Sequence, residues 1–328
     1  MATYLFRSPL APRLQAFLEA RHPGNRPGVA THKILRYLDR FLMSELKLGQ
    51  PLTREVAERW NESMAHLNPN TRINRLSVLR QFCLYLSHFD PRTCIIYRSY
   101  LPRRTRPVPY IYSCDEVRKI MAAARRLGPP GSLRPVVIST LIGLLYATGI
   151  RIGEALNLTL GDIDLRRRVI EVREGKFRKS RYAPLSPSTA SHMKAYLERR
   201  RKAGFSTAPT APVFLSVIGT RHGYPDFVTV FLEILRSIGL RGPKGERGPR
   251  IHDLRHTFAV ERLLAWYRHG DNLAAKLPLL STYLGHSTVT GTEVYLHATA
   301  QLLESVGRRF HSHFAVPPVA KTKHHVTN

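Results

Sequence analysis

Four short segments carry side chains suited to chemistry on a phosphodiester. They are Ala147-Thr148-Gly149-Ile150-Arg151-Ile152-Gly153-Glu154, Gly175-Lys176, His252-Asp253-Leu254-Arg255-His256, and Leu284-Gly285-His286 with Tyr295 nine residues later. Cleaving a nucleic-acid strand without hydrolysis needs an enzyme nucleophile, cationic donors for the non-bridging oxygens, and an acid for the departing 5′ oxygen. Tyrosine supplies a hydroxyl nucleophile. Two arginines suit the second task, because a guanidinium is always charged and grips phosphate through parallel bonds. A lysine on a hairpin turn can protonate the leaving group, and histidines move protons near neutral pH.

Taken singly, each residue has a plainer reading. Arg151 fits a capping arginine ahead of an amphipathic segment, and Lys176 a solvated lysine beside Arg178 and Lys179. Tyr295 fits a core or rim tyrosine, like Tyr267 or Tyr283. His252 and His256 match the i, i+4 ligand spacing of a zinc-protease helix. That motif places Glu directly after the first histidine, where this chain has Asp253. A permanently charged Arg255 would also sit beside the metal. Neither a metal nor another cofactor is expected.

Taken in order, the segments resemble the tyrosine recombinase (phage integrase) family. TGIRxGE lies upstream, HxLRH follows, and LGH precedes the tyrosine, so the likeness covers roughly residues 145–297. The resemblance implies a mostly α fold with a small β-sheet: a helical N-terminal core-binding domain and an α+β catalytic domain. It implies catalytic roles for Arg151, Lys176, His252, Arg255, His286 and Tyr295, with Lys179 as a substitute hairpin lysine and Glu154 in a supporting position. The implied activity is site-specific recombination or integration of DNA through a 3′-phosphotyrosine, independent of metal and ATP. The implied partners are double-stranded DNA and three further copies, a homotetramer on two DNA sites, with a C-terminal helix over 300–314 docking on a neighbour. The LPLLSTYLGHS stretch resembles transposon-borne members. Two features depart from the family pattern: Gly291 stands where Thr or Ser is common, and the stretch from His256 to His286 is a few residues longer than in compact members. Type IB topoisomerase-like relaxation and non-catalytic DNA-binding regulation are the alternatives.

The bulk properties agree with a polyanionic partner. Lys and Arg number 51 against 23 Asp and Glu, a formal net charge of +28, which self-repels until a polyanion offsets it. The longest apolar stretch, Pro135 to Ile150, is broken by Ser139, Thr140, Gly143 and Gly149 and is shorter than the roughly 20 residues of a spanning helix. No membrane partner or signal peptide is expected. Cys83, Cys94 and Cys114 contain no CxxC pair and read as reduced thiols. The expected location is cytoplasmic, nucleoid-associated if the source is bacterial.

The elements that must position these side chains are legible from periodicity. Apolar residues at helical spacing predict helices over 9–21, 30–47, from Thr53 through His66, and after a capping Asn70. These make a helical DNA-binding domain over 1–102, with Arg72, Arg75 and Arg80 as candidate DNA contacts on a basic face. The run PRRTRPVPY, rich in proline and arginine, reads as a basic linker over 103–112, with Arg103, Arg104, Arg106 and the hairpin Lys179 as further candidate contacts. Ser113-Cys114-Asp115-Glu116 fits a capping box and opens a catalytic domain over 113–316. Within it, helices are expected over Leu133–Thr148, Ile152–Leu158, 188–203, 226–238, 253–268, 273–284 and 299–313. Val169–Val172 and Arg181–Leu185 read as two strands around a Gly-Lys turn. The polar tail over 317–328 reads as disordered.

Overall fold

The computed structural model of the protein describes residues 5–21, 29–102, 104, 108–173, 180–285, 292 and 295. The chain divides into two compact units, Met1–Pro107 and Val108–Asn328. The division falls inside the expected linker. Tyr112, at its far end, is buried in the core of the second unit. Its backbone N–H donates to Thr257 Oγ1 and its hydroxyl to the Arg250 carbonyl.

The first unit contains α1 (Ala11–Arg21), α2 (Val29–Glu45), α3 (Arg54–Ser63) and α4 (Pro69–Leu86). Apolar residues three or four apart turn one stripe of each helix inward. Leu14, Phe17 and Leu18 of α1 meet Leu35, Leu38 and Leu42 of α2, Trp60 of α3, and Leu79, Phe82 and Leu86 of α4 in one core. The N-cap of α4 is Asn68, whose side chain accepts from the Asn70 N–H, with Pro69 in the first turn. The expected cap, Asn70, is thus already inside the helix, because Pro69 suits a first turn that has no use for its missing N–H. Similarly, α3 ends at Ser63 rather than His66.

The second unit is also mainly helical. It runs α5 (Cys114–Arg125), α6 (Arg134–Thr148), α7 (Ile152–Asn157), β1 (Ile163–Asp164), β2 (Val169–Val172), β3 (Arg181–Pro184), α8 (Pro187–Lys202), α9 (Tyr224–Ser237), α10 (His252–Arg268) and α11 (Leu273–Leu284). The capping box at α5 is present: Ser113 Oγ accepts from the Glu116 N–H and Glu116 from the Ser113 N–H. Apolar on nearly all sides, α6 is the buried centre, packed by α5, α8 and α10. The sheet is antiparallel in the order β1-β2-β3, and Val172 pairs with Arg181 at its open end. The segment between those two residues, expected to form a Gly-Lys turn, and with it Lys176 and Lys179, lies outside the described residues. Among the described residues, no helix is long and apolar enough to cross a membrane.

Candidate active site

Two helix ends build the site. An α-helix leaves its last carbonyls without partners, and a residue in the left-handed conformation, usually glycine, lets the chain turn away there. Here α6 ends at Gly149 (φ +62°) and α11 at Gly285 (φ +66°). The ring of Phe258 lies 2.5 Å from where a Gly149 Cβ would sit, so glycine is required for space as well as for conformation.

Arginines occupy the open carbonyls. At the end of α11, three successive carbonyls each accept from a different guanidinium. Tyr283 O receives Arg181 Nε at 2.7 Å, Leu284 O receives Arg255 Nη2, and Gly285 O receives Arg151 Nη2 at 2.8 Å. Arg255 also reaches the end of α6, its Nη1 donating to Gly149 O at 2.7 Å. The negative end of a helix dipole favours cations at just this position. Thus Arg151, 104 residues from Arg255 in sequence, is brought to the same helix terminus.

Glu154 completes the cluster. Its carboxylate accepts from Arg151 Nη1 at 2.8 Å and from the Arg151 N–H at 2.9 Å, and from Arg181 Nη2 at 2.7 Å and Nη1 at 3.2 Å. Burial alone would push this carboxyl up. The Arg181 hydrogen bond and then the Arg151 N–H outweigh burial and bring it to about 2. Three guanidiniums against one carboxylate leave the site with surplus positive charge, the complement of a phosphate.

Arg255 is 2% exposed. Burial, and then the neighbouring Arg151 charge, lowers it to about 10, still protonated at neutral pH. Tyr295 is 2% exposed. Burial pushes its hydroxyl up, while the Arg255 charge and hydrogen bond, then Arg151, pull it back down. One arginine therefore touches the phenol oxygen and shares a helix end with the other.

The histidines form a row on the first turns of α10. Asp253, buried, accepts from the Arg250 N–H at 2.7 Å and fixes the start of that helix. His252 and His256 meet edge to face at 4.8 Å, and the His256 ring lies 5.4 Å from the Tyr295 ring. His252 keeps access to solvent, yet crowding by protein, then His256 and Arg255, lower it to about 4. Solvent screening moderates that shift without changing its direction. The imidazole is neutral at pH 7 and able to accept a proton.

The structure therefore brings together Arg151, His252, Arg255 and Tyr295 of the expected set. Lys176, Lys179 and His286 lie outside the described residues, as do Arg103, Arg106 and the helix expected over 300–314. In the first unit, Arg72 Nε donates to Asn61 at 2.6 Å, Arg75 lies over the Tyr37 ring at 4.2 Å, and Arg104 donates to Asn74. At about 100° per residue, Arg80 lies roughly 140° around α4 from Arg75. Arg72 falls between those two, so the three helix arginines share an arc of roughly 140°. Two residues of the cluster escaped sequence reasoning. For Arg181 the pattern indicates only a strand position, because its partners lie 27 and 102 residues away. His256 belongs to the HxLRH segment without an assigned catalytic role, and its place beside Tyr295 is a matter of tertiary contact.

The phage integrase family model matches residues 112–301, more than half of the chain. A Sinorhizobium fredii (strain NBRC 101917 / NGR234) protein named as an integrase/recombinase is 37% identical over 262 residues, 79% of this chain and 83% of that one. The tyrosine recombinase XerC of Mycobacterium sp. (strain JLS) is 28% identical over 306 residues, covering 91% and 88%. The Tn1549 transposon integrase, solved with transposon right end DNA, shares the fold with a TM-score of 0.65 at 19% identity, over 93% of this chain and 99% of that one. By the matched family model and the 37% identity to the Sinorhizobium fredii protein, the chain belongs to the phage integrase family of tyrosine recombinases.

Proposed function

We propose that the protein is a site-specific DNA recombinase that cleaves and rejoins strands through a 3′-phosphotyrosine on Tyr295. The observation that carries this reading is the meeting of Arg151, Arg255 and the Tyr295 hydroxyl at the end of α11. The phenol oxygen attacks phosphorus and its proton passes to a histidine. His252 is the base, with His256 between it and the tyrosine. Arg151 and Arg255 exchange their carbonyl partners for the phosphate oxygens and stabilise charge as it develops there. His286 donates to a phosphate oxygen, and Lys176, or Lys179 in its place, protonates the departing 5′ oxygen. The covalent phosphotyrosine conserves the bond, so a 5′-hydroxyl from a second duplex can reverse the step without ATP, and guanidiniums do the work of a metal ion.

The buried phenol implies that DNA binding precedes cleavage and exposes it. Four copies then hold two sites together, each lending its 300–314 helix to a neighbour. An apolar groove of about 610 Å³ lined by Phe258, Trp266, Leu279, Leu280 and Tyr283 is a fitting acceptor. A chain truncated after residue 298 is expected to lose assembly on DNA in size-exclusion measurements. Unchanged assembly would remove the docking step from this scheme.

The decisive test uses nicked duplexes drawn from a random-sequence pool. Wild-type protein should yield a protein–DNA adduct that survives boiling in detergent, and Tyr295→Phe should yield none. Strand transfer between two labelled duplexes then distinguishes recombination from relaxation by a lone protomer. A wild-type protein that binds the pool but traps no strand would leave only a DNA-binding role.

A further inference from the structure

Arg181 sits on β3 opposite Val172, at the end of the paired register. Its side chain is 12% exposed. All three of its nitrogens donate: Nε to Tyr283 O, and Nη1 and Nη2 to the two oxygens of Glu154. A guanidinium already committed to a carboxylate and a carbonyl has little left for phosphate. What it does instead is hold its partners. One of these, Glu154, orients Arg151. The other is the last turn of α11, from which the chain continues through Gly285 to His286. A Cβ at Gly285 would meet Arg181 Nη1 at 3.0 Å and Arg151 Nη1 at 3.4 Å, so both guanidiniums pack against the same glycine.

We propose that Arg181 is a positioning residue for strand cleavage, clamping Glu154 and the α11 end so that Arg151 stays oriented and available to phosphate. The proposal rests on the reading of Tyr295 as nucleophile and extends it to a residue with no contact to the reacting atoms. The physical reason is charge sharing. With two guanidiniums on one buried carboxylate, Arg151 is only partly neutralised. Without Arg181, Glu154 turns its full charge on Arg151, draws it into a tight pair and withholds it from the phosphate. The loosened α11 end also misplaces the carbonyls that Arg151 and Arg255 share.

The experiment uses the full chain and a nicked duplex captured by the wild-type protein. Arg181→Met should slow single-turnover adduct formation on the order of 10²-fold, the scale of a misplaced catalytic group, with little change in affinity for the same duplex. Arg181→Lys, which keeps the charge and loses the fork, should fall between. The double variant Arg181→Met/Glu154→Gln should cleave faster than Arg181→Met, because removing the unshared carboxylate releases Arg151. A residue serving only the fold would show no such recovery. Wild-type cleavage by Arg181→Met, or a double variant no faster than the single one at matched melting temperatures, overturns the proposal. Should Arg181→Met not fold, Arg181→Lys decides: slower cleavage at unchanged affinity supports the clamp, and the wild-type rate removes it. A wild-type protein that forms no adduct defeats the nucleophile reading and the clamp together, whereas a wild-type adduct with an unimpaired Arg181 variant defeats the clamp alone.

Discussion

At the residue scale, His252 and Glu154 make the protein sensitive to acid for one shared reason: the site favours His252 neutral and Glu154 charged. Crowding and neighbouring cations depress His252 from 6.5, and Arg181 and Arg151 depress Glu154 from 4.5. For each, the folded state binds a proton less readily than the unfolded chain, so stability rises with pH across the window between the two values. The contribution is present above the unfolded value and lost as pH falls through the folded one. For His252 the loss begins below 6.5, and for Glu154 below 4.5. Urea midpoints should therefore fall between pH 7 and pH 5, and His252→Asn should flatten that fall relative to wild type. A parallel decline in the variant would detach His252 from it. The cleavage rate should follow the same protonation, with the acid limb of the single-turnover pH profile below 6.5. A half-maximal point at or above that value would count against His252 as the base.

At the element scale, the helix ends matter more than the helix bodies. Gly149 has φ +62° and the Phe258 ring 2.5 Å from its Cβ position, whereas Gly153, one turn on, has nothing within 4 Å. Gly149→Ala incurs the left-handed penalty, about 1–2 kcal/mol, plus overpacking, about 1–3 kcal/mol. A loss of roughly 2–5 kcal/mol in urea denaturation is expected. Gly153→Ala, inside α7, should be neutral or stabilising by up to about 1 kcal/mol. Equal effects would show that the close packing at Gly149 is not what holds the α6 end. This contrast also marks what sequence can reveal. Periodicity located α6 and α11 with their final residues at Thr148 and Leu284, because a long apolar pattern ending in glycine is a local signal. The motifs named Arg151, His252, Arg255 and Tyr295. They were silent on Arg181, because a strand arginine becomes part of a site only through partners brought in by tertiary folding. The two-residue strand β1 was likewise invisible, being too short to show an alternation of its own. The burial of Tyr295 depends on α10 and α11 folding around it, and no spacing in the sequence encodes that.

At the scale of the whole molecule, the excess of positive charge sets how the protein finds and holds DNA. A net charge of +28 gives an affinity dominated by counterion release, in which the association constant falls linearly with salt on logarithmic axes. If some 6–10 phosphates are neutralised, the slope is about −5 to −9, and affinity drops about 10³–10⁵-fold between 50 and 200 mM salt. Fluorescence anisotropy with a random-sequence duplex measures this directly. The arginines of the first unit can then be sorted by the same slope. Arg104 is exposed and donates to Asn74, while Arg75 is spread over the Tyr37 ring. Arg104→Ala should reduce the slope by about one and weaken all sequences alike, as loss of a single phosphate contact does. Arg75→Ala should leave the slope nearly unchanged and act through lost packing. A slope insensitive to Arg104 would remove it from the phosphate contacts, and a change in sequence preference would make Arg104 a reader of bases.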